Sequence, residues 1–302
     1  MIIILQIILF IVLAPFLSGL ISKLKNNLRM RRGQSVLQPY YNLGKLFSKD
    51  EVVSQTASWI FRVTPFVVLS STLAAALLIP VFILASTAHQ MGDFLVLVFI
   101  FALGRFFLAL SALDTGSSFG GMGASREMFI SSLVEPAFCM AIFAISLQSG
   151  STDISAFSGM HLIPVSSVVA AIALFLITIA ETSRIPVDNQ EAHLELTMVH
   201  EAMVLEYSGR RLALIEMASY VKQMIFFFLI AQVIFPIGEL PIDLTQIIPW
   251  VLWYFCRIGI IAITVALVEV TIAKMRLFRV ADFLGFAFVL GVIASICAIL
   301  GV

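Results

Sequence analysis

Four charged side chains interrupt long apolar stretches of the sequence: Arg105, Glu135, Lys222 and Arg257. Ionisable groups in such stretches are expensive to bury, and they commonly mark proton paths or water-filled cavities. Arg105 stands nine residues before Asp114, and Glu135 stands nine residues after Arg126. On two consecutive antiparallel helices both would lie roughly 13 Å from the same end. We therefore expect Arg105 and Glu135 to form a pair.

Arg257 lies twelve residues before Glu269, and the same helical rise places it roughly 18 Å deep. Two interpretations of the buried charges remain open from the sequence. They can belong to a proton path, which we favour because an acidic segment accompanies them. Alternatively, they are structural ion pairs that only fix the packing of helices.

The acidic segment between residues 181 and 217 is the second candidate site. Its carboxylates are Glu181, Asp188, Glu191, Glu195, Glu201 and Glu206. Neighbouring carboxylates raise one another's pKa and can share and pass protons. An apolar stripe at helical spacing, formed by Leu194, Met198, Val199 and Met203, predicts that part of the segment packs against protein. Proton relay and docking of a partner are therefore favoured over simple solvation.

Other chemistries find little support in the sequence. His193 and His200 share a helix face, but the sequence HEAMV lacks the second histidine of the HExxH zinc motif. The three cysteines stand apart in apolar runs, which does not fit an iron–sulfur or zinc site. The glycine-rich stretch at 116–125 lacks the phosphate-loop lysine, and we predict a tight connection between two helices there.

The elements that must position these residues are membrane-spanning helices. Of the 302 residues, 61% are apolar and 12% are charged, whereas soluble domains have about 45–50% and about 25%. Because backbone groups in lipid must be satisfied within a segment, the apolar runs are predicted to be helices of an all-α integral membrane protein. The eight predicted spans are 2–22, 63–85, 94–113, 128–147, 162–180, 218–237, 247–268 and 282–301.

The distribution of Lys and Arg predicts the orientation of these spans. All basic residues between spans fall in the first, third, fifth and seventh loops, which the positive-inside rule places in the cytoplasm, with both termini on the outer side. The chain is predicted to be a single membrane domain, 1–302, with long cytoplasmic loops at 23–62 and 181–217. Residues 36–47 are expected to lie at the headgroups. Lys222, near the predicted start of the sixth span, is expected to snorkel to the interface.

Three stretches resemble the complex I subunit 1 family, and in particular its hydrogenase branch, the membrane subunits of formate hydrogenlyase and hydrogenase-4 complexes. They are RRGQSVLQPYYNLGKLF at 31–47, GRFFLALSALDTGSSFGGMGASREMFISSLVEPAF at 104–138, and ETSRIPVDNQEAHLEL from 181 followed by EYSG at 206–209. The resemblance covers essentially the whole chain. It implies a tilted bundle of eight helices in the cytoplasmic membrane of a bacterium or archaeon.

The resemblance also implies how the subunit works. A group 4 [NiFe]-hydrogenase-type complex would supply hydrophilic large and small subunits, which carry iron–sulfur clusters and a [NiFe] centre, and antiporter-like membrane subunits. This chain would hold no cofactor, metal or catalytic centre, and would bind no nucleic acid. The expected proton path comprises Arg105, Glu135, Glu181, Asp188, Glu191, Glu195, Glu206 and Arg257. The expected docking residues are Arg31, Arg32, Arg126, Arg184, His193, His200, Glu201 and Arg210.

Several alternatives stay open. The runner-up is a quinone-site subunit of a complex I-type NADH dehydrogenase, which the first loop disfavours because it resembles the hydrogenase branch. His193 stands where family members usually have a glutamate, so a related non-hydrogenase ion-pumping complex is a further alternative. A passive anchor for the redox arm and a stand-alone transporter complete the set, the latter disfavoured because no inverted repeat is visible.

Overall fold

The computed structural model describes residues 2–54, 56–79, 92–154, 164–188, 198–236 and 244–301. These residues form ten α-helices. Their bounds are α1 Ile2–Leu28, α2 Gln38–Phe47, α3 Trp59–Leu78, α4 Phe94–Asp114, α5 Ser118–Ser149, α6 Val165–Glu181, α7 His200–Val204, α8 Gly209–Ile234, α9 Leu244–Thr271 and α10 Leu277–Leu300. Extended backbone pairs once among the described residues, in an isolated bridge between Asp93 and Asp153.

The long helices fall where the apolar runs predicted them. Counted over the described ranges, seven helices are long and apolar enough to cross a membrane, and α6 is a shorter apolar helix of 17 residues. The prediction of an all-helical, multi-pass membrane protein is therefore confirmed. The placement of both termini on the outer side stays a prediction.

The predicted tight connection between two helices is present but shorter than the stretch 116–125, because α5 begins at Ser118. The turn between α4 and α5 is confined to residues 115–117, and Ser117 caps α5 by accepting a hydrogen bond from the Gly120 N–H at 3.1 Å. A Cβ on Gly120 would lie 2.5 Å from the Ala112 carbonyl oxygen. These glycines thus let neighbouring backbone approach α5 closely, which apolar periodicity cannot reveal.

Adding one methyl group to Gly123 is expected to destabilise the protein. A Cβ there would lie 2.9 Å from the Ala202 Cβ and 3.0 Å from the Val199 carbonyl oxygen, so α7 would have to move. We expect Gly123→Ala to lower the free energy of unfolding by about 1–3 kcal/mol. The matched control is Gly121→Ala, whose Cβ meets nothing within 4 Å and whose higher helix propensity favours the helix. Equal thermal midpoints of the two detergent-solubilised variants would contradict this packing account.

The sixth predicted span also differs from the structure. Helix α8 begins at Gly209 rather than at residue 218, so the predicted loop 181–217 is shortened at that end. The predicted loop 23–62 is shortened too, because α1 continues to Leu28 and α3 begins at Trp59. Lys222 lies inside α8 and does not snorkel, because its ammonium group bonds the buried carboxylate of Glu181.

Helix α8 forms the centre of the bundle. Residues 223–233 of α8 are all buried, and the helix packs against α1, α3, α6 and α9. Helix α10 covers α5 and α6 on another side. The short helix α2 is amphipathic, with Pro39 and Leu43 buried and Tyr41 exposed, and it lies against α1 and α8. Its predicted location at the lipid headgroups remains a prediction.

Candidate functional site

Four charged side chains from four helices form one ion cluster inside the bundle. The Arg105 guanidinium of α4 donates to Glu181 Oε1 of α6 at 2.5 Å and to Glu135 Oε1 of α5 at 2.8 Å. Lys222 Nζ of α8 lies 2.6 Å from Glu181 Oε2. The predicted pairing of Arg105 with Glu135 is therefore confirmed, and Glu181 and Lys222 extend it.

Burial changes along this cluster. The Glu181 and Arg105 side chains are 1% and 8% exposed, whereas the Glu135 side chain is 41% exposed. Buried charges are tolerated when they are paired and hydrogen-bonded, and two cations here balance two carboxylates. The cluster thus runs from a neutralised, buried centre at Glu181 to a partly open carboxylate at Glu135.

A cavity of about 70 Å³, with both apolar and charged side chains in its walls, adjoins the cluster. That volume holds several water molecules, and a buried water needs polar partners, which the cavity walls supply. Charged or titratable side chains in the walls are those of Arg105, Glu127, Glu181, Arg184, His200 and Lys222, and the hydroxyl groups include those of Ser71, Thr72 and Ser219. The arrangement provides a place where water can meet ionisable groups within the bundle.

A second buried ion cluster lies nearer the predicted cytoplasmic side. Glu269 at the end of α9 receives the Arg184 guanidinium at 2.7 Å and the Lys25 ammonium group at 3.1 Å. Arg184 also donates to Gln223 Oε1 at 3.0 Å, and Gln223 follows Lys222 on α8. The two ion clusters are thereby joined through Arg184 and neighbouring residues of α8.

A second cavity, of about 280 Å³, extends the polar interior toward α2. Lys25, Asp188 and Glu269 line it, together with amide side chains near α2. It shares four lining residues with the first cavity, namely Ser18, Ser183, Arg184 and Tyr220. The two cavities therefore adjoin each other, and charged side chains occur in the walls of both.

Asp188 ties together the two ends of the acidic segment. Its Oδ2 accepts hydrogen bonds from the backbone N–H groups of Val199 and His200 at 3.3 and 3.1 Å, and its Oδ1 lies 2.7 Å from Lys274 Nζ. The carboxylate is almost fully buried. Asp188 thus holds the two ends of the acidic segment together and attaches them to the connection between α9 and α10.

Two titratable groups of the acidic segment have shifted pKa values. Burial lowers the pKa of His200, and the opposing effect of Glu201 is smaller, so the ring is neutral at neutral pH. Burial raises the pKa of Tyr207 to about 12. Tyr207 stacks on Phe61 with ring centroids 4.0 Å apart and donates to the Phe61 carbonyl oxygen at 3.1 Å. Neither group carries a charge at neutral pH in this packing.

An aromatic layer closes the first cavity on the side away from the predicted cytoplasm. Phe226, one turn after Lys222 on α8, packs on Phe101 and Phe138 with ring centroids 5.2 and 5.4 Å away. All three rings are buried. Water that reaches Lys222 therefore meets an apolar barrier in the direction of the outer side.

Arg257 lies beyond this layer, so the structure does not bring it to the Arg105 cluster. Its guanidinium donates to Gln232 Oε1 at 3.4 Å and to the Phe235 carbonyl oxygen, and it stacks over the Tyr254 ring at 5.4 Å. Gln232 follows Lys222 by ten residues on α8, or roughly 15 Å. Arg257 caps the C-terminal end of α8, where a cation is stabilised by the helix dipole.

The remaining predicted residues lie in several places, and Glu201 is partly exposed on α7. Arg31, Arg32, Glu206 and Arg210 are exposed at the surface. Arg126 donates to the Met198 carbonyl oxygen at 3.0 Å and Arg184 is buried in the Glu269 cluster, so both side chains hold the acidic segment from inside. Their roles in docking stay predictions. Glu191, His193 and Glu195 lie outside the described residues. The predicted stripe is buried at Met198, Val199 and Met203.

Sequence reasoning missed several members of the site. Glu269 served only as a marker of helix depth, and Lys25, Glu127, Gln223 and Lys274 carried no signal that set them apart. The signal that could have identified Lys222 and Glu269 as members of the site is their charge next to apolar runs. Across the described ranges, no group of three or more His, Cys, Asp or Glu residues is placed to hold a metal ion.

Known proteins are similar to this chain in sequence. Residues 1–300 match the family model described as NADH dehydrogenase. Hydrogenase-4 component C of Escherichia coli (strain K12) is 32% identical over 289 residues, which are 93% of this chain and 91% of that protein. Formate hydrogenlyase subunit 4 of the same organism is 34% identical over 240 residues, 78% of this chain and 77% of that protein.

A solved structure shares the fold. The membrane-bound sulfane sulfur reductase, an archaeal respiratory membrane complex, contains a chain that matches with a TM-score of 0.82 and 19% identity. The match covers 99% of this chain and 100% of that one. On its sequence, this chain belongs to the NADH dehydrogenase family, the family of complex I subunit 1.

Proposed function

We propose that this chain is the membrane subunit of a group 4 [NiFe]-hydrogenase-type respiratory complex that docks the hydrophilic redox arm and forms part of a proton path. The observation that carries the proposal is an interior with two adjoining cavities that share lining residues, one beside the Glu181 ion cluster and one beside the Glu269 ion cluster. A passive anchor needs no such interior, because buried ion pairs are poor stabilisers compared with apolar packing. The similarity to hydrogenase-4 component C and formate hydrogenlyase subunit 4 supports the type of complex.

The exposure of Glu135 supports a partner within the membrane. Its side chain is 41% exposed, although it lies roughly 13 Å inside the predicted cytoplasmic face. A carboxylate facing lipid at that depth is costly, so a membrane subunit, of the antiporter-like kind, covers it in the complex. Glu135 is then the point where the path leaves this chain, because the aromatic layer at Phe226 closes the direct route outward.

The exposed polar groups of the loops support docking of hydrophilic large and small subunits. Arg31, Arg32, Glu206 and Arg210 stand on the predicted cytoplasmic side, where charged groups fix orientation and steer association more than they add affinity. In this proposal the partners, and not this chain, carry the iron–sulfur clusters and the [NiFe] centre. The membrane is the cytoplasmic membrane of a bacterium or archaeon.

Glu135→Gln is expected to uncouple the path without disturbing assembly. Arg105 keeps its bond to Glu181, and the charge lost at Glu135 lies at the partly exposed end of the cluster, but an amide cannot accept and release the proton. We expect proton translocation by the purified complex in liposomes to fall about tenfold or more, in line with the loss of a positioned acid–base group. The control is Asp282→Asn, which removes an exposed carboxylate on α10. Full translocation by Glu135→Gln would point to a passive anchor.

The second candidate is a quinone-site subunit, which the cavity between α1, α2 and Arg184 favours. Its volume of about 280 Å³ lies just below the range of roughly 300–1,000 Å³ of ligand pockets. Purification of the tagged complex, with mass spectrometry and metal analysis, separates the candidates. A nickel-containing large subunit beside antiporter-like subunits supports the hydrogenase-type complex. Partners without nickel, in a complex whose activity quinone analogues inhibit, support the quinone-site subunit. Partners without nickel, in a complex that quinone analogues do not inhibit, support another ion-pumping complex.

A further inference from the structure

One carboxylate in the wall of the first cavity is not held by a cation. Glu127 of α5 lines that cavity together with Arg105, Glu181 and Lys222. Both cations direct their nitrogens to other carboxylates, Arg105 to Glu181 and Glu135 and Lys222 to Glu181. Among the described residues, no hydrogen bond or ion pair joins either cation to Glu127. Its carboxylate is therefore left to the water of the cavity.

Glu181 is in the opposite situation. Each of its oxygens faces a cation, at 2.5 Å from Arg105 and 2.6 Å from Lys222. A proton placed on Glu181 would weaken both ion pairs and leave buried cations without compensation, which is strongly unfavourable. Glu181 is consequently a fixed counter-charge. Proton exchange at Glu127 breaks no ion pair, so protonation of Glu127 costs much less free energy than protonation of Glu181.

Charges of both signs surround Glu127. Lys222 of α8 and Arg105 of α4 favour the carboxylate, whereas Glu181 of α6 and Asp188 after it favour the protonated acid. His200 of α7, which also lines the cavity, is neutral at neutral pH because burial lowers its pKa. A carboxyl group with neighbours of both signs and access to water is suited to gain and lose a proton repeatedly.

We propose that Glu127 is the proton-exchange residue of the first cavity, with Glu181 as its permanently ionised counter-charge. In the step, a hydronium ion of the cavity transfers its proton to a Glu127 carboxylate oxygen, which forms an O–H bond and leaves water. The reverse transfer releases the proton to cavity water on the side of Arg105 and Glu135, and no electron moves. Glu135 stands eight residues further along α5, about 12 Å along the axis. This inference rests on the proposed proton path.

The test uses the purified complex reconstituted in liposomes. We expect Glu127→Gln to reduce proton translocation about tenfold or more, while Asp282→Asn leaves it unchanged. Glu127→Asp, which keeps the carboxylate, is expected to restore most of the translocation with an altered pH profile. If the glutamine variant does not assemble, the aspartate variant alone decides, because an unchanged pH profile would overturn the proposal.

Infrared spectra of the same complex, recorded as a function of pH, report directly on the protonation of carboxylic acids. A purely structural role of Glu127 would not change the number of titrating bands. Glu127→Gln is expected to remove one titrating carboxylic-acid C=O band, and Glu181→Gln to remove none. Loss of the band in Glu181→Gln, or unchanged translocation in Glu127→Gln, would overturn the assignment. The Glu135→Gln variant distinguishes a failure of the Glu127 assignment from a failure of the proposed proton path. If it loses translocation while Glu127→Gln does not, only this inference fails, and if both retain it, the proton path itself fails.

Discussion

Replacing Glu181 by glutamine is expected to destabilise the subunit and to stop proton movement through it. The side chain is 1% exposed and compensates two cations at once, Arg105 at 2.5 Å and Lys222 at 2.6 Å. Removing one partner of a buried ion pair leaves an uncompensated charge and typically costs about 3–5 kcal/mol. We expect a lower thermal midpoint of the purified complex and less assembled complex on native gels.

The double variant Glu181→Gln with Lys222→Gln tests whether this loss comes from charge. It removes one carboxylate and one cation, so the cluster regains its balance. We expect it to be more stable than Glu181→Gln alone, since residues in contact do not contribute additively. If the stability lost by the double variant equals the sum of the losses in the two single variants, the charges are not coupled and the account of the cluster is wrong.

Replacing Asp188 by alanine is expected to release the redox arm. The change removes the partner of Lys274 Nζ at 2.7 Å and the acceptor for the backbone N–H groups of Val199 and His200. Each buried donor left without an acceptor costs about 1–3 kcal/mol. An acidic segment that is no longer fixed presents a disordered surface, and a loss of about 1.4 kcal/mol already weakens binding tenfold.

The measurement is the amount of hydrophilic subunits that co-purify with the tagged membrane subunit. Lys274→Met is the informative companion, because it removes the ion pair but keeps both backbone hydrogen bonds to Asp188. We expect it to retain most of the arm, while Asp188→Ala loses it. If Asp188→Ala and the unchanged chain recover equal amounts of the redox arm, the contacts of Asp188 do not support docking.

The buried charges illustrate why part of the site was predictable. Arg105 and Glu135 stand out against apolar sequence, and equal spacing from helix ends places them at one depth, because a helix has a fixed rise per residue. That reasoning found the pair at 2.8 Å. It also grouped Arg257 with them because Arg257 interrupts an apolar run, although a charge in an apolar run does not reveal its partners, which here are Gln232 and the Phe235 carbonyl oxygen.

The glycine-rich stretch and Lys222 show the opposite case. Glycine near a predicted helix end suggests a turn, but Gly120 and Gly123 serve the close approach of Ala112 and Ala202. A lysine near the end of an apolar run suggests snorkelling, but Lys222 finds Glu181 on another helix. Both cases concern partners distant in sequence, which local pattern does not encode.

The sequence by itself determined that this chain is a bundle of membrane-spanning helices, because the absence of water in lipid imposes long apolar segments with few charges. It also determined the family, through long stretches at 31–47 and 104–138. Only the tertiary structure decided which carboxylates are clamped and which face water. Glu181 and Glu127 are alike in type and differ in whether cations from other helices reach them, and that depends on the packing of α4, α6 and α8 around one cavity.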